Sequence, residues 1–411
     1  MAALIPFRAL RPRPAEAAQI AAVPYDVVST DQARALADGN PLSFLHVSRA
    51  EIEFPPTADP HSDPVYQRAA ENFARLRERS LVVEAEPSLY FYRLRMGAHE
   101  QTGLAACYSL DEYDRDVIKK HERTRRDKED DRTRHMVALG AQTGPVFLTH
   151  RASGDVTTVS DRVTKETPLI DFEAADDVRH TLWRVTAAPD RDALIQAFRQ
   201  IPALYIADGH HRAASAARAR ASMRERGAAG TAAGDGADWN TVLAVAFPHD
   251  QVQILPYNRT VTDLAGRPVE GFLAAVREAF TMEPGPAVPV RRGEIAIYIQ
   301  GQWQTIRPRV APDPGDAIAS LDVSVLQDRL LAPVLQITDV RTDERIDFVG
   351  GARGTRDLQQ AVDSGRAAVA FSLYPVSVAD LMAASDAGAI MPPKSTWFEP
   401  KLRDGLLIHL I

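Results

Sequence analysis

The chain has 411 residues, 45% of them hydrophobic and 25% charged, with a net charge of -7. This is a globular composition with room for two or three domains, and it argues against a disordered chain. The acidic balance gives no general attraction to nucleic acid or anionic lipid, and a single cysteine, Cys107, cannot close an internal disulfide.

No apolar run reaches membrane-spanning length, and Pro6, Arg8, Arg11 and Arg13 interrupt any signal-peptide core. The expectation is a soluble cytoplasmic protein whose partners are small molecules, with no nucleic acid, no membrane and room for a homo-oligomer.

The N-terminal third reads in alternation. Ser29 or Thr30 caps a short helix that runs to Leu36 and ends at Asp38-Gly39. Residues 43–47 read as a strand, and Asp63-Pro64 starts a helix with Tyr66, Ala70, Phe73, Leu76 and Leu81 along one stripe. Residues 89–96 and 102–110 form a hairpin around Gly97.

The densest charge follows, from Lys119 to His135. An exposed helix laced with ion pairs is the ordinary reading of such a run. Basic residues lead here, and Glu122 sits among Lys120, Arg123 and Arg125, a setting that holds a carboxylate ionised and able to accept a proton.

Residues 145–149 and 180–185 read as strands, and 155–166 and 189–199 as helices. They deliver the chain to its most informative stretch, Ala203-Leu204-Tyr205-Ile206-Ala207-Asp208-Gly209-His210-His211-Arg212. An apolar strand, an Asp-Gly turn and an Ala- and Arg-rich helix as far as Arg226 follow one another. The start of that helix suits a phosphate, because its first N–H groups are unpaired and lie at the positive end of the dipole. Gly209 lets backbone approach a ligand, while His211 and Arg212 add donors. The plainer alternative has Asp208 capping the helix and the two histidines and Arg212 forming a solvated first turn. His210 and His211 point about 100° apart on a helix and do not share one metal ion.

Residues 227–238 read as a Gly- and Ala-rich linker, and 239–247 with 251–255 as a hairpin. The Pro-rich stretch 284–289 is the best domain linker, with a nucleotide-binding catalytic region expected at 1–283 and a C-terminal α+β region at 290–411. Beyond it, 294–299 pairs with 303–306 and 321–335 is an amphipathic helix. Residues 345–373 make a strand–helix–strand unit, and a last helix starts at Ser377. The final block, 391–402, crowds Lys394, Ser395, Thr396, Trp397 and Glu399 among three prolines. It is either a tail packed down by Trp397 and Phe398 or a rigid loop that returns Lys394, Ser395 and Thr396 to an anionic substrate or phosphate.

Several of these blocks together resemble a bacterial and archaeal family, domain of unknown function 1015. They are Pro24-Tyr25-Asp26-Val27-Val28, Lys120-His121-Glu122-Arg123-Thr124, Ile206 through Arg212, Pro256-Tyr257-Asn258-Arg259, and Met391 through Leu402. The turn Gly209-His210-His211-Arg212 also resembles the phosphate-binding turn of the ParB and sulfiredoxin superfamily. His210 replaces the reactive cysteine of sulfiredoxin, and no DNA-binding domain accompanies it, so the free-serine kinase branch departs least.

These resemblances imply an α/β fold with a mixed-sheet, ParB/sulfiredoxin-like nucleotide-binding core and a C-terminal α+β portion. They imply a phosphotransferase that moves a phosphoryl group from a nucleotide, ATP or ADP, to a small hydroxyl metabolite such as free L-serine. Glu122, Asp208 and His210 would form the catalytic group, with Glu122 as base. Gly209, His211, Arg212 and Arg125 would hold phosphate, and Asp208 would help hold Mg²⁺. A non-catalytic nucleotide sensor and a nucleotide hydrolase are the competing functions.

Overall fold

A computed structural model describes residues 2–228 and 238–411 and divides them into two compact units. The first comprises Met1–Lys120, Thr124–Val252 and Pro400–Ile411, and the second His121–Arg123 and Gln253–Glu399. The chain is mixed α/β, as the motif blocks imply. Most of the linker expected at 227–238 lies outside the described residues.

Among the described residues the first unit is built on a nine-stranded mixed sheet. Its main path runs Ile118–Lys119, Leu204–Asp208, Val146–His150, Thr241–Pro248, His99–Ser109, Tyr90–Met96, Val178–Arg184 and Ile170–Glu173, with Leu4–Ile5 also on His99–Ser109. Two of these pairings are parallel, Leu204–Asp208 with Ile118–Lys119 and Thr241–Pro248 with Val146–His150. The central strands are buried along their length, which is why they read as continuous apolar runs rather than alternating ones.

Helices Gly154–Val163, Ala188–Arg199 and His210–Ala228 belong to this unit. Val156, Val159, Leu194, Phe198 and Ala213 join Leu148, Ile206 and Ala244 in one core. A second core gathers Phe44, Leu45, Val47, Val65, Phe73 and Leu76 around the helix Asp63–Arg79. Each large side chain so buried contributes about 1.5–3 kcal/mol.

Local signals explain several ends. Ser29 and Gln32 form a reciprocal capping box for Thr30–Ala37, and Gly140, at φ 60°, ends Arg126–Leu139 in the left-handed region. Residues 43–47 instead form the helical turn Leu45–Ser48. A short apolar run carries no usable period, and here one helical turn turns Leu45 and Val47 into the second core.

The segment Pro400–Ile411 returns to this unit after 147 residues of the other (Gln253–Glu399). It bridges Ala22 through Asp404 and Leu10 through Ile408, and then pairs His409–Leu410 with Ala141–Gln142. Arg126–Leu139, the helix expected from the charged run, is not solvated all round, since Asp131 and His135 are buried.

The second unit holds an antiparallel six-stranded sheet, ordered Phe280–Pro284, Gln302–Pro308, Ile295–Ile299, Val369–Leu373, Tyr257–Val261 and Ile346–Gly350. Residues 284–289 therefore join two strands of one sheet instead of linking domains, and the unit begins 30 residues before the expected division at 283/290 (Gln253). The hairpin expected at 251–255 also differs. Both edges of Thr241–Pro248 are already occupied by neighbours, so Gln253–Leu255 pairs with Trp397–Glu399. The helix expected at 321–335 covers Asp322–Leu326 and widens into a π turn over Gln327–Leu331 before Pro333, which cannot donate to it.

Candidate functional site

The stretch 203–215 folds as its composition requires: the strand Leu204–Asp208, one residue of turn, then a helix from His210. Gly209 has φ +91°, a conformation that L side chains rarely adopt. A Cβ there would also sit 2.9 Å from Nε of Arg212. The turn is thus shaped around the guanidinium of Arg212, which folds back over it.

Arg212 is not a solvated first-turn residue. It is 4% exposed, donates through Nη1 to the carbonyl oxygen of Pro145, and places Nη2 3.3 Å from Oδ2 of Asp208. Burial opposes its charge, but Asp26, Asp208 and Asp404 outweigh that and hold it firmly protonated. The expected phosphate fork is turned inward here, and its hydrogen bonds to the Pro145 carbonyl and Asp208 fix the turn.

Asp208 is bridged from two sides. Lys401 Nζ and Arg212 Nη2 each lie 3.3 Å from the same oxygen, Oδ2. Burial would raise this carboxyl, yet Lys401 and Arg212 hold it well below the usual carboxylate range. A carboxylate shared by two cations is a poor ligand for Mg²⁺, and among the described residues no group of three His, Cys, Asp or Glu could hold a metal ion. The expected Mg²⁺ role of Asp208 does not fit, and a tether for Lys401 replaces it.

Behind the turn lies a buried network. Asp404 is 2% exposed, and Oδ1 makes no hydrogen bond; Gly144 lies so close that a Cβ there would meet this oxygen at 2.3 Å. Burial pushes the Asp404 carboxyl up to about 7, against the pull of Arg212 and Arg132 and an N–H from Tyr25. Arg132 stacks 4.2 Å over the Tyr25 ring and pairs with Asp131 at 2.8 Å. Tyr66 and His61 bond the other oxygen of Asp131, at 2.6 and 3.1 Å.

On the outer side, His211 is half-buried and Nε2 accepts the N–H of Arg125 at 3.0 Å. The Arg125 side chain is exposed and forks onto Asp127. His210 is buried. Sequence reasoning selected Asp208 through Arg212 and Arg125, and these residues share the first unit. It passed over Lys401, Asp404, Tyr25, Asp26 and Arg132. Tyr25, Asp26 and Lys401 stood in blocks already singled out and Arg132 in the charged run 119–135, whereas nothing local marked Asp404.

The second unit holds the other expected residues. Glu122 is half-buried and follows His121, whose carbonyl accepts the N–H of Met391 at 2.9 Å. Lys394 is exposed, with φ +59°, and Nζ is 5.6 Å from the Tyr257 ring centroid. The Ser395 hydroxyl donates to the carbonyl of Pro392 at 2.6 Å, which closes the loop on itself; Thr396 is half-buried beside it. Trp397 packs edge-on to Tyr257 with centroids 5.0 Å apart, and lies against Gly350, where a Cβ would be 2.6 Å away.

In fold comparison, a free serine kinase in complex with AMP aligns at 15% identity and a TM-score of 0.38, over 74% of this chain and 92% of that one. SbnI with a C-terminal truncation, from Staphylococcus aureus, aligns at 13% identity and a TM-score of 0.41, covering 74% and 87%. A conserved hypothetical protein from Pyrococcus furiosus gives 14% identity, a TM-score of 0.37, and 74% and 95%. No curated protein matches the chain. Among the described residues no helix is long and apolar enough to cross a membrane. A family model matches residues 4–324, so the chain belongs to the family described as protein of unknown function, DUF1015.

Proposed function

We propose that the Asp208–Arg212 turn binds nucleotide phosphate and that the protein transfers a phosphoryl group to a small hydroxyl metabolite, with free L-serine the first acceptor to test. The observation that carries this reading is the turn itself: a helix start at His210 with Lys401 held at 3.3 Å by Asp208. A lysine held by the carboxylate two residues before a helix start suits a phosphate, because the cation and the helix N-terminus both favour negative charge.

In this reading His211, Arg125, Lys401 and the amides after Gly209 meet the phosphates, while Arg212 and His210 keep the turn in shape. Phosphoryl transfer asks for positioning and charge neutralisation more than covalent chemistry. Glu122, expected as the base, and Lys394 and Thr396, expected at the acceptor's anionic group, all belong to the second unit, and these roles are proposed from the sequence blocks. Glu122 precedes Arg125 by three residues of chain, which is the support for including it.

One observation favours the sensor alternative. Asp208, the carboxylate at the turn, is held ionised between two cations and is a weak base. Calorimetric titration with ADP, followed by assays with ATP and a panel of hydroxy amino acids, separates the readings. Binding with turnover supports the transferase, and binding without turnover the sensor. Absence of binding removes both.

A further inference from the structure

The second unit contains a buried positive charge with no acid paired to it among the described residues. Arg259 is 2% exposed, on the strand Tyr257–Val261. It donates from Nη1 to the carbonyl of Tyr257 and from Nη2 to the carbonyl of Lys394 at 3.0 Å, and stacks 5.3 Å over the Phe348 ring. Among the described residues it forms no ion pair. Burial pulls the guanidinium down to about 10, with the phenol of Tyr257 acting against that. Arg212 in the first unit shows the usual solution, three carboxylates around one buried guanidinium.

An arginine cannot escape this cost by releasing its proton at neutral pH, so an uncompensated buried guanidinium is expensive. Its surroundings suggest why it is kept. The Lys394 backbone that Arg259 holds carries a second cation above the Tyr257 ring. The φ of +59° at Lys394 is a conformation that costs energy for a residue with a side chain. Tyr257 in turn packs on Phe348 and Trp397, with centroids 5.9 and 5.0 Å away. Two cations therefore flank one aromatic cluster, and the arginine fixes the loop that bears the lysine.

We propose that Arg259 and Lys394 form a binding site for a small oxyanion, the carboxylate or phosphate of a metabolite, with Lys394 in contact and Arg259 as the buried counter-charge. Within a low-dielectric interior the Arg259 charge acts on an anion at the surface with little screening. The proposal rests on reading Lys394 as an anion ligand and is independent of nucleotide binding at Asp208–Arg212.

The test is thermal unfolding of the full chain against inorganic phosphate and, separately, acetate, with chloride at equal ionic strength as control. Wild type should gain stability that grows with the logarithm of anion concentration, and the stronger of the two anions identifies the source. Lys394→Met, at an exposed position, should keep the anion-free melting temperature and lose the gain, and Arg259→Met should lose the gain as well. A gain retained by either variant, or a wild type stabilised no more by phosphate or acetate than by chloride, overturns the site. Should Arg259→Met fail to fold, Lys394→Met and the wild-type series still decide. ADP titration of Lys394→Met separates this outcome from that of the nucleotide reading, because ADP affinity should be unchanged.

Discussion

Lys401 Nζ stands 3.3 Å from Oδ2 of Asp208, although 193 positions of chain separate the two residues. The pairing fixes a lysine at the start of the helix His210–Ala228 and converts Asp208 from an expected metal ligand into a tether. Substitution of Lys401 by Met should remove a charge-assisted contact to phosphate worth about 1.5–3 kcal/mol, and so weaken ADP binding about tenfold or more. Calorimetry measures it. Unchanged affinity in a folded Lys401→Met protein removes Lys401 from the phosphate site.

Arg212→Ala tests whether this arginine is architectural. It deletes a buried cation, strands the Pro145 carbonyl and leaves Asp208 with Lys401 alone. A loss of about 3–5 kcal/mol in unfolding free energy is expected, read from urea denaturation. A variant as stable as wild type would return Arg212 to the role of ligand.

Gly209→Ala should fail for two separate reasons, the φ of +91° and the approach to Arg212 Nε. The strain alone costs about 1–3 kcal/mol. The matched control is Gly154→Ala, where a Cβ meets nothing within 4 Å and φ is not in the left-handed region. A urea midpoint that falls equally in both variants would refute the packing argument.

Asp404 makes a pH prediction. Its carboxyl rises from the ordinary 3.8 to about 7 on folding, so between those values the native state binds the extra proton. Its contribution to stability is full at low pH and is lost as pH rises through about 7. His135, drawn down to about 4 by burial, works in the opposite direction over part of the same range, where the unfolded chain takes up the proton. The measurement is therefore a difference. The stability of wild type minus that of Asp404→Asn should fall steadily from about pH 4 to about pH 7 and then level off. A difference independent of pH would show that Asp404 is ionised throughout.

Glu122→Gln keeps size and loses basicity. If Glu122 is the base, turnover with the best acceptor should fall by about 10²–10⁴ while ADP affinity stays. Full turnover would assign the proton elsewhere.

How much of this could be seen in the sequence depends on the range of each interaction. The turn at Asp208-Gly209 was legible because strand, turn and helix signals are local and stand side by side. The hairpin at Gly97 and the Ser29 cap were legible for the same reason. The position of Arg212 was not, since an arginine after two histidines reads as solvated, and the Pro145 carbonyl, Asp208 and the sequence-distant Asp26 and Asp404 make its burial tolerable. Lys394 drew notice within its proline-rich block, whereas Lys401, seven residues later, is the lysine that pairs with Asp208. Arg259 sat in a block marked as a resemblance, and nothing around it announced a missing counter-charge.

The excursion of the chain between Val252 and Pro400 has a consequence for synthesis. Domains generally fold as they leave the ribosome, N-terminal part first, at about 5–20 residues per second. Here the first unit emerges nearly whole and then waits roughly 7–30 seconds, at that rate, for the stretch that brings Lys401 and Asp404. During that interval Asp208 lacks its lysine and Ala22 lacks the backbone partner it later finds at Asp404. A nascent or prematurely terminated chain thus carries the motif but not the assembled turn, so a message truncated late in its reading frame yields protein that displays every recognisable block up to Glu399 and lacks the completed site.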